Sequence, residues 1–134
     1  MSRSLAREMA MKIEFSRLLG GKGRPEDLLY TDETEVLSQT DTEFVKRLTD
    51  GICINEDEIN KIIEKYAIGW SLQRISKVDL AILHLAVFEI LHCDDIPVGA
   101  SINEAVELAK KFGGDHSYSF INGILGSFAK EFKK

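Results

Sequence analysis

Residues 101–125, "SINEAVELAKKFGGDHSYSFINGIL", decide the fold class. The stretch reads as two amphipathic helices hinged at Gly113-Gly114. Ser101 and Glu104 have capping-box spacing, in which each side chain satisfies a backbone N–H of the first turn. Ile102, Ala105, Val106, Ala109 and Phe112 then recur on one helical face. Beyond the glycines, Ser117 is placed to cap a second helix carrying Phe120, Ile121, Ile124, Leu125 and Phe128 at core spacing. Gly123 lies inside that helix, where glycine costs roughly 0.5–1 kcal/mol relative to alanine. Close approach of a neighbouring helix or ligand backbone is the simplest offset.

The same period extends outward through the chain. Leu5, Met9, Ile13 and Leu18, with Ala6, Ala10 and Phe15, describe a first helix that Gly20-Gly21 ends. Residues 25–39 give a weaker, acidic helix opened by Pro25. Thr40 and Glu43 form a second capping box before Phe44, Val45, Leu48 and Ile52. Asn55 and Glu58 resemble a third, leading into Ile59, Ile62, Ile63 and Tyr66. Residues 41–68 therefore read as one long helix or as two meeting near Gly51, and "WSLQRI" (70–75) as a short turn. Ser76 caps a helix to about Cys93 that is apolar around most of its circumference, the mark of a central buried helix. Only "IPVGAS" (96–101) hints at the alternation of a strand. The expected architecture is an all-α bundle of about six or seven helices in one domain spanning 1–134.

Composition narrows the functional classes. No apolar run reaches the roughly 18 residues of a membrane span. The first ten residues lack an apolar signal-peptide core, so a cytoplasmic location is expected. Cys53 and Cys93 have no partner pattern for a disulfide framework or a zinc site. The net charge of −5 conceals a gradient: residues 1–24 carry six Lys/Arg against two Asp/Glu, and residues 25–64 carry three against twelve. A basic first helix on an acidic chain suggests an anion-binding patch, although a solvated helix face has the same composition.

Catalytic chemistry finds little support. His84 sits among apolar residues and reads as a satisfied interior histidine. His92 and Cys93 are neighbours that point about 100° apart on a helix. Glu89 on the apolar helix calls for a lysine or arginine partner, and "GGKG" (20–23) lacks the spacing of a phosphate loop. By contrast, Tyr118 and Phe120 stand at a helix start, where free N–H groups seat phosphate and aromatic rings stack on unpaired bases. Phe120 reads equally well as core.

The order of segments carries a resemblance. "LAREMAMKIEF" (5–15), "FVKRLTDGI" (44–52), "VDLAILHLAVFEIL" (78–91), "IPVGASINEAVELAKKFG" (96–113) and "SYSFINGIL" (117–125) together resemble the NusB family of bacterial transcription antitermination factors over essentially the whole chain. The resemblance implies an all-helical fold, no catalysis and no cofactor. It implies binding to boxA RNA jointly with NusE, a ribosomal small-subunit protein, in a complex that joins other Nus factors on RNA polymerase. The family's RNA surface carries over onto Arg3 and Arg7 of the first helix and onto His116, Ser117, Tyr118 and Phe120. Lys110 and Lys111 join them by proximity. The NusE surface carries over onto Phe15 and Asp79, with Gln73 and Arg74 nearby.

One departure stands out: family members often begin with a dense arginine run, whereas this chain has Arg3 and Arg7 separated by Ser4, Leu5 and Ala6. Weak RNA binding by the chain alone is the expected result. Two other readings remain open. One is a protein-interaction bundle without RNA binding. The other is a stand-alone relative of the domain that precedes RNA cytosine methyltransferases, which would need a second polypeptide for the methyl donor.

Overall fold

The computed structural model describes residues 2–20 and 38–132. Among them are six α-helices: α1 (Ser2–Leu18), α2 (Gln39–Ile54), α3 (Glu56–Tyr66), α4 (Lys77–His92), α5 (Val98–Phe112) and α6 (Ser117–Glu131). A single turn of 3-10 helix, Leu72–Arg74, precedes α4 within the stretch read as a short turn. No strand occurs among the described residues, and "IPVGAS" runs into the first turn of α5. The acidic helix expected over 25–39 falls almost wholly outside the described residues.

Helix α4 is the centre of the bundle. Asp79 through Ile90 are all buried, and each of the other five helices packs against it. Its start is fixed by Ser76, whose hydroxyl accepts the Asp79 N–H at 3.2 Å. The other caps differ from expectation. Ser38, not Thr40, caps α2 by accepting the Asp41 N–H at 3.1 Å. Helix α5 begins at Val98 behind Pro97, which puts Ser101 inside the first turns, buried, with its hydroxyl donating to Glu89 at 2.8 Å. Ser117 is already helical, and its hydroxyl accepts the Gly114 N–H at 2.9 Å. A Ser-x-x-Glu spacing records that a serine and a helix lie together. It does not say which backbone group the hydroxyl serves.

The region 41–68 is two helices, and they meet at Asn55 rather than Gly51. Asn55 ends α2 and starts α3, and its side-chain amide donates to the Gly51 carbonyl at 2.8 Å instead of capping α3. Gly51 is mid-helix because Phe88 of α4 lies on it: a Cβ there would stand 2.2 Å from the ring's Cζ. Gly123 is the opposite case. No described residue lies within 4 Å of its Cβ position, so no described helix makes the close approach expected there. The two alanine substitutions should therefore differ in sign. Gly51→Ala should destabilise by about 1–3 kcal/mol through overpacking, and Gly123→Ala should stabilise by about 0.5–1 kcal/mol through helix propensity. Melting temperatures of the two variants check both, and a shift in the same direction would refute the contrast.

Candidate functional site

Helix α1 turns two of its charges inward. Arg7 is only 6% exposed, and its guanidinium donates to both oxygens of Glu89 at 2.9 and 3.0 Å. Ser101 donates to the same carboxylate, which completes a buried cluster joining α1, α4 and α5. Seven residues on, buried Glu14 meets His84 Nδ1 at 2.6 Å and Arg17 at 2.7 and 2.9 Å. Nε2 of His84 meets the Asn60 side-chain oxygen of α3 at 2.7 Å. Burial alone would raise the Glu14 pKa, but hydrogen bonds and charge from His84 and Arg17 outweigh it and hold the carboxyl below its ordinary range. His84 and Glu89 are thus the satisfied interior groups the sequence suggested. Arg7 was expected at the RNA surface, and its burial against Glu89 corrects that assignment.

The remaining site residues sit on two connected faces. Arg3 is exposed, 3.6 Å from Asp41 and 4.0 Å from the Phe44 ring centroid. Lys111 donates to Glu8 at 2.8 Å, which with Lys12 holds the Glu8 pKa below its ordinary range against the effect of burial. Lys110 lies 3.7 Å from Glu107 and 5.5 Å from the centroid of the exposed Tyr118 ring. Because Arg7 faces Glu89 and Glu14 faces His84, α1 runs antiparallel to α4. The half-buried Phe15 therefore lies toward the end of α1 that adjoins the start of α4.

At that start the structure brings together residues that the sequence reading had split between two partners. A cavity of about 340 Å³ is lined by Arg74 and Asp79 together with His116, Ser117 and Phe120. Trp70, which sequence reasoning missed, forms another wall, its ring packed edge-on against Phe120 at a centroid distance of 5.6 Å. Arg74 lies over the Trp70 ring at 5.3 Å, and Gln73 is exposed beside it. Asp79 was expected as an accessible helix-start residue. It is instead 8% exposed, and its Oδ1 is the one buried side-chain polar atom without a hydrogen-bond partner among the described residues. The signal available in the sequence was its being the sole tryptophan, directly after Gly69; in the fold it is 45% exposed and Gly69 has a positive φ of 83°.

The model of the NusB family matches residues 4–130. The chain belongs to the NusB family. It is 48% identical over 130 residues to the transcription antitermination protein NusB of Acetivibrio thermocellus, covering 97% of this chain and 90% of that one. It is 41% identical to the protein of the same name from Alkaliphilus oremlandii, over 98% of this chain and 95% of the other. T. maritima NusB is similar in structure, with a TM-score of 0.87 and 34% identity over 100% of this chain and 94% of that one. A chain in the crystal structure of antitermination factors NusB and NusE in complex with dsRNA matches with a TM-score of 0.84, 26% identity and 97% coverage of both. The NusB fold thus accounts for nearly every described residue, including both faces just described.

Proposed function

We infer that the chain is a transcription antitermination factor that binds boxA RNA together with NusE. The observation that carries this is the match, over 97% of both chains, to a chain crystallised among NusB, NusE and dsRNA. The reading is of a binding protein rather than an enzyme, acting in the cytoplasm alongside RNA polymerase and the other Nus factors. No helix among the described residues is long and apolar enough to cross a membrane.

For the RNA surface we propose Arg3, Lys110, Lys111, His116, Ser117, Tyr118 and Phe120, with Arg7 withdrawn to a structural role. Phe15, Gln73, Arg74 and Asp79 are proposed to face NusE. Exposure of Arg3, Lys110, Lys111, His116 and Tyr118 and the aromatic–cation pairing of Lys110 with Tyr118 support the first group. The adjacency of the α1 end, the 3-10 turn and the α4 start supports the second. Three of the surface cations already face carboxylates, Arg3 with Asp41, Lys110 with Glu107 and Lys111 with Glu8. RNA must displace or share those partners, so the chain alone should bind weakly.

A boxA titration across salt concentrations, with and without NusE, tests the reading. For a single strand the logarithmic salt slope is about −0.7 per neutralised phosphate, so three to four contacts give roughly −2 to −3. Arg3→Ala with Lys111→Ala should reduce that slope by roughly 1 to 1.5. NusE should tighten RNA binding by the same factor by which RNA tightens NusE binding. NusE binding that is indifferent to RNA would leave a protein-interaction bundle instead.

A further inference from the structure

Helices α1 and α5 border a groove of about 450 Å³ whose charges are not those an RNA backbone calls for. Glu8, Glu104 and Glu107 line it against Lys110 and Lys111, so three carboxylates answer two lysines beside the basic first helix. The opposition is concentrated at Glu8. Lys111 of α5 donates to its Oε1 at 2.8 Å, and Lys12, one turn along α1, lies 3.2 Å from its Oε2. Both ammoniums also stand 5.4 Å from the centre of the Phe112 ring, which adds a cation–π attraction to each. Two lysines from different helices thus converge on one carboxylate.

The side chains of Lys12 and Lys111 are 41% and 62% exposed, whereas that of Glu8 is 15% exposed. Ion pairs this open to water add little to stability. They do change the charge that an arriving anion meets. Burial would raise the Glu8 pKa, but the hydrogen bonds and charge of Lys111 and Lys12 outweigh it, so the carboxylate stays ionised at neutral pH.

We propose that Lys12 and Lys111 are a phosphate-binding pair held closed by Glu8, whose carboxylate takes the place between the two ammoniums that a backbone phosphate would occupy. Carboxylate and phosphate each offer a pair of anionic oxygens, so one excludes the other. RNA that gains the contact must part the lysines from Glu8 and then lie beside its uncompensated charge. A phosphate contact carries no sequence information. Glu8 therefore lowers affinity for every RNA alike and leaves binding to depend on base contacts and on NusE. The inference rests on the RNA-binding reading above and adds to it Lys12 and one residue that opposes binding.

The full chain is titrated without NusE at about 0.1 M salt, where charges more than about 10 Å apart are largely screened. The probes are boxA RNA and an oligouridine of equal length. Glu8→Gln keeps the shape of the side chain and removes its charge. It should tighten both RNAs by about threefold to fivefold, a change worth roughly 0.7–1 kcal/mol, at the upper end of what exposed ion pairs contribute. Glu8→Ala, neutral and the better helix former, should give the same gain, so a folding defect peculiar to one variant leaves the other to decide. Glu64→Gln, which removes the same charge from an exposed position on α3, should leave both affinities unchanged. With Lys12 and Lys111 both replaced by alanine, Glu8→Gln should bring no gain. Unchanged or weaker binding in Glu8 variants of native melting temperature would overturn the proposal. So would a gain confined to boxA RNA, or one that persists in full without the two lysines. If the wild-type chain binds boxA RNA neither alone nor with NusE, the RNA-binding reading itself falls.

Discussion

Arg7→Ala should destabilise the protein by about 3–5 kcal/mol, the cost typical of leaving one member of a buried ion pair without its partner. The carboxylate left behind, Glu89, is 2% exposed and would keep, among the described residues, the Ser101 hydroxyl as its hydrogen-bond donor. Arg3→Ala provides the contrast one turn earlier. Arg3 is 44% exposed at 3.6 Å from Asp41, a buried carboxylate that keeps the Ser38 hydroxyl when Arg3 is removed, so the cost should be about 1 kcal/mol. Urea midpoints for the two variants should therefore differ widely. The double variant Arg7→Met with Glu89→Leu should recover most of the loss, because apolar groups of similar volume replace buried ion pairs at little cost. A mild Arg7→Ala phenotype, equal to that of Arg3→Ala, would return Arg7 to the list of surface cations.

Glu14→Ala should cost a comparable 3–5 kcal/mol, since it strips the buried His84 of its Nδ1 partner and Arg17 of its shorter contacts. The more informative substitution is Glu14→Gln, read against pH. The Glu14 carboxyl is held below its ordinary range in the fold. Its contribution is therefore complete above the unfolded value of about 4.3 and is lost as pH falls through the lower folded value. Wild-type stability should decline below about pH 4.3, and the decline should be shallower in Glu14→Gln. It should not vanish, because the carboxyls of Glu8, Asp95 and Glu131 are also held low. An unchanged slope in the variant would mean that Glu14 does not feel His84 and Arg17 as placed.

Most of the architecture was legible because apolar period is a property of single helices. The central helix could be read to within one residue at each end from its all-round apolar pattern and Ser76. What escaped depends on contacts between helices distant in sequence. Arg7 resembles any surface arginine until Glu89, eighty-two positions away, is known to face it. Gly51 and Gly123 are indistinguishable as letters, yet one lies under an aromatic ring and the other has no described residue near its Cβ position. Resemblance singled out His116, Phe120 and Arg74, which the fold brings to one cavity. The resemblance could not reveal that Asp79 faces a cavity, or that Trp70 walls it, because burial is decided by how the 3-10 turn folds back between α3 and α4.

The position of α4 has a consequence for how the molecule breathes. Every other described helix packs against it, so its amides cannot reach solvent by the fraying of any single neighbour. Exchange of the α4 amides with deuterated solvent should accordingly require the whole bundle to open, whereas α3, with its short length and exposed flank, can open alone. A ligand seated where α4 begins would then be felt as slower exchange along the entire central helix, not only around the place it touches.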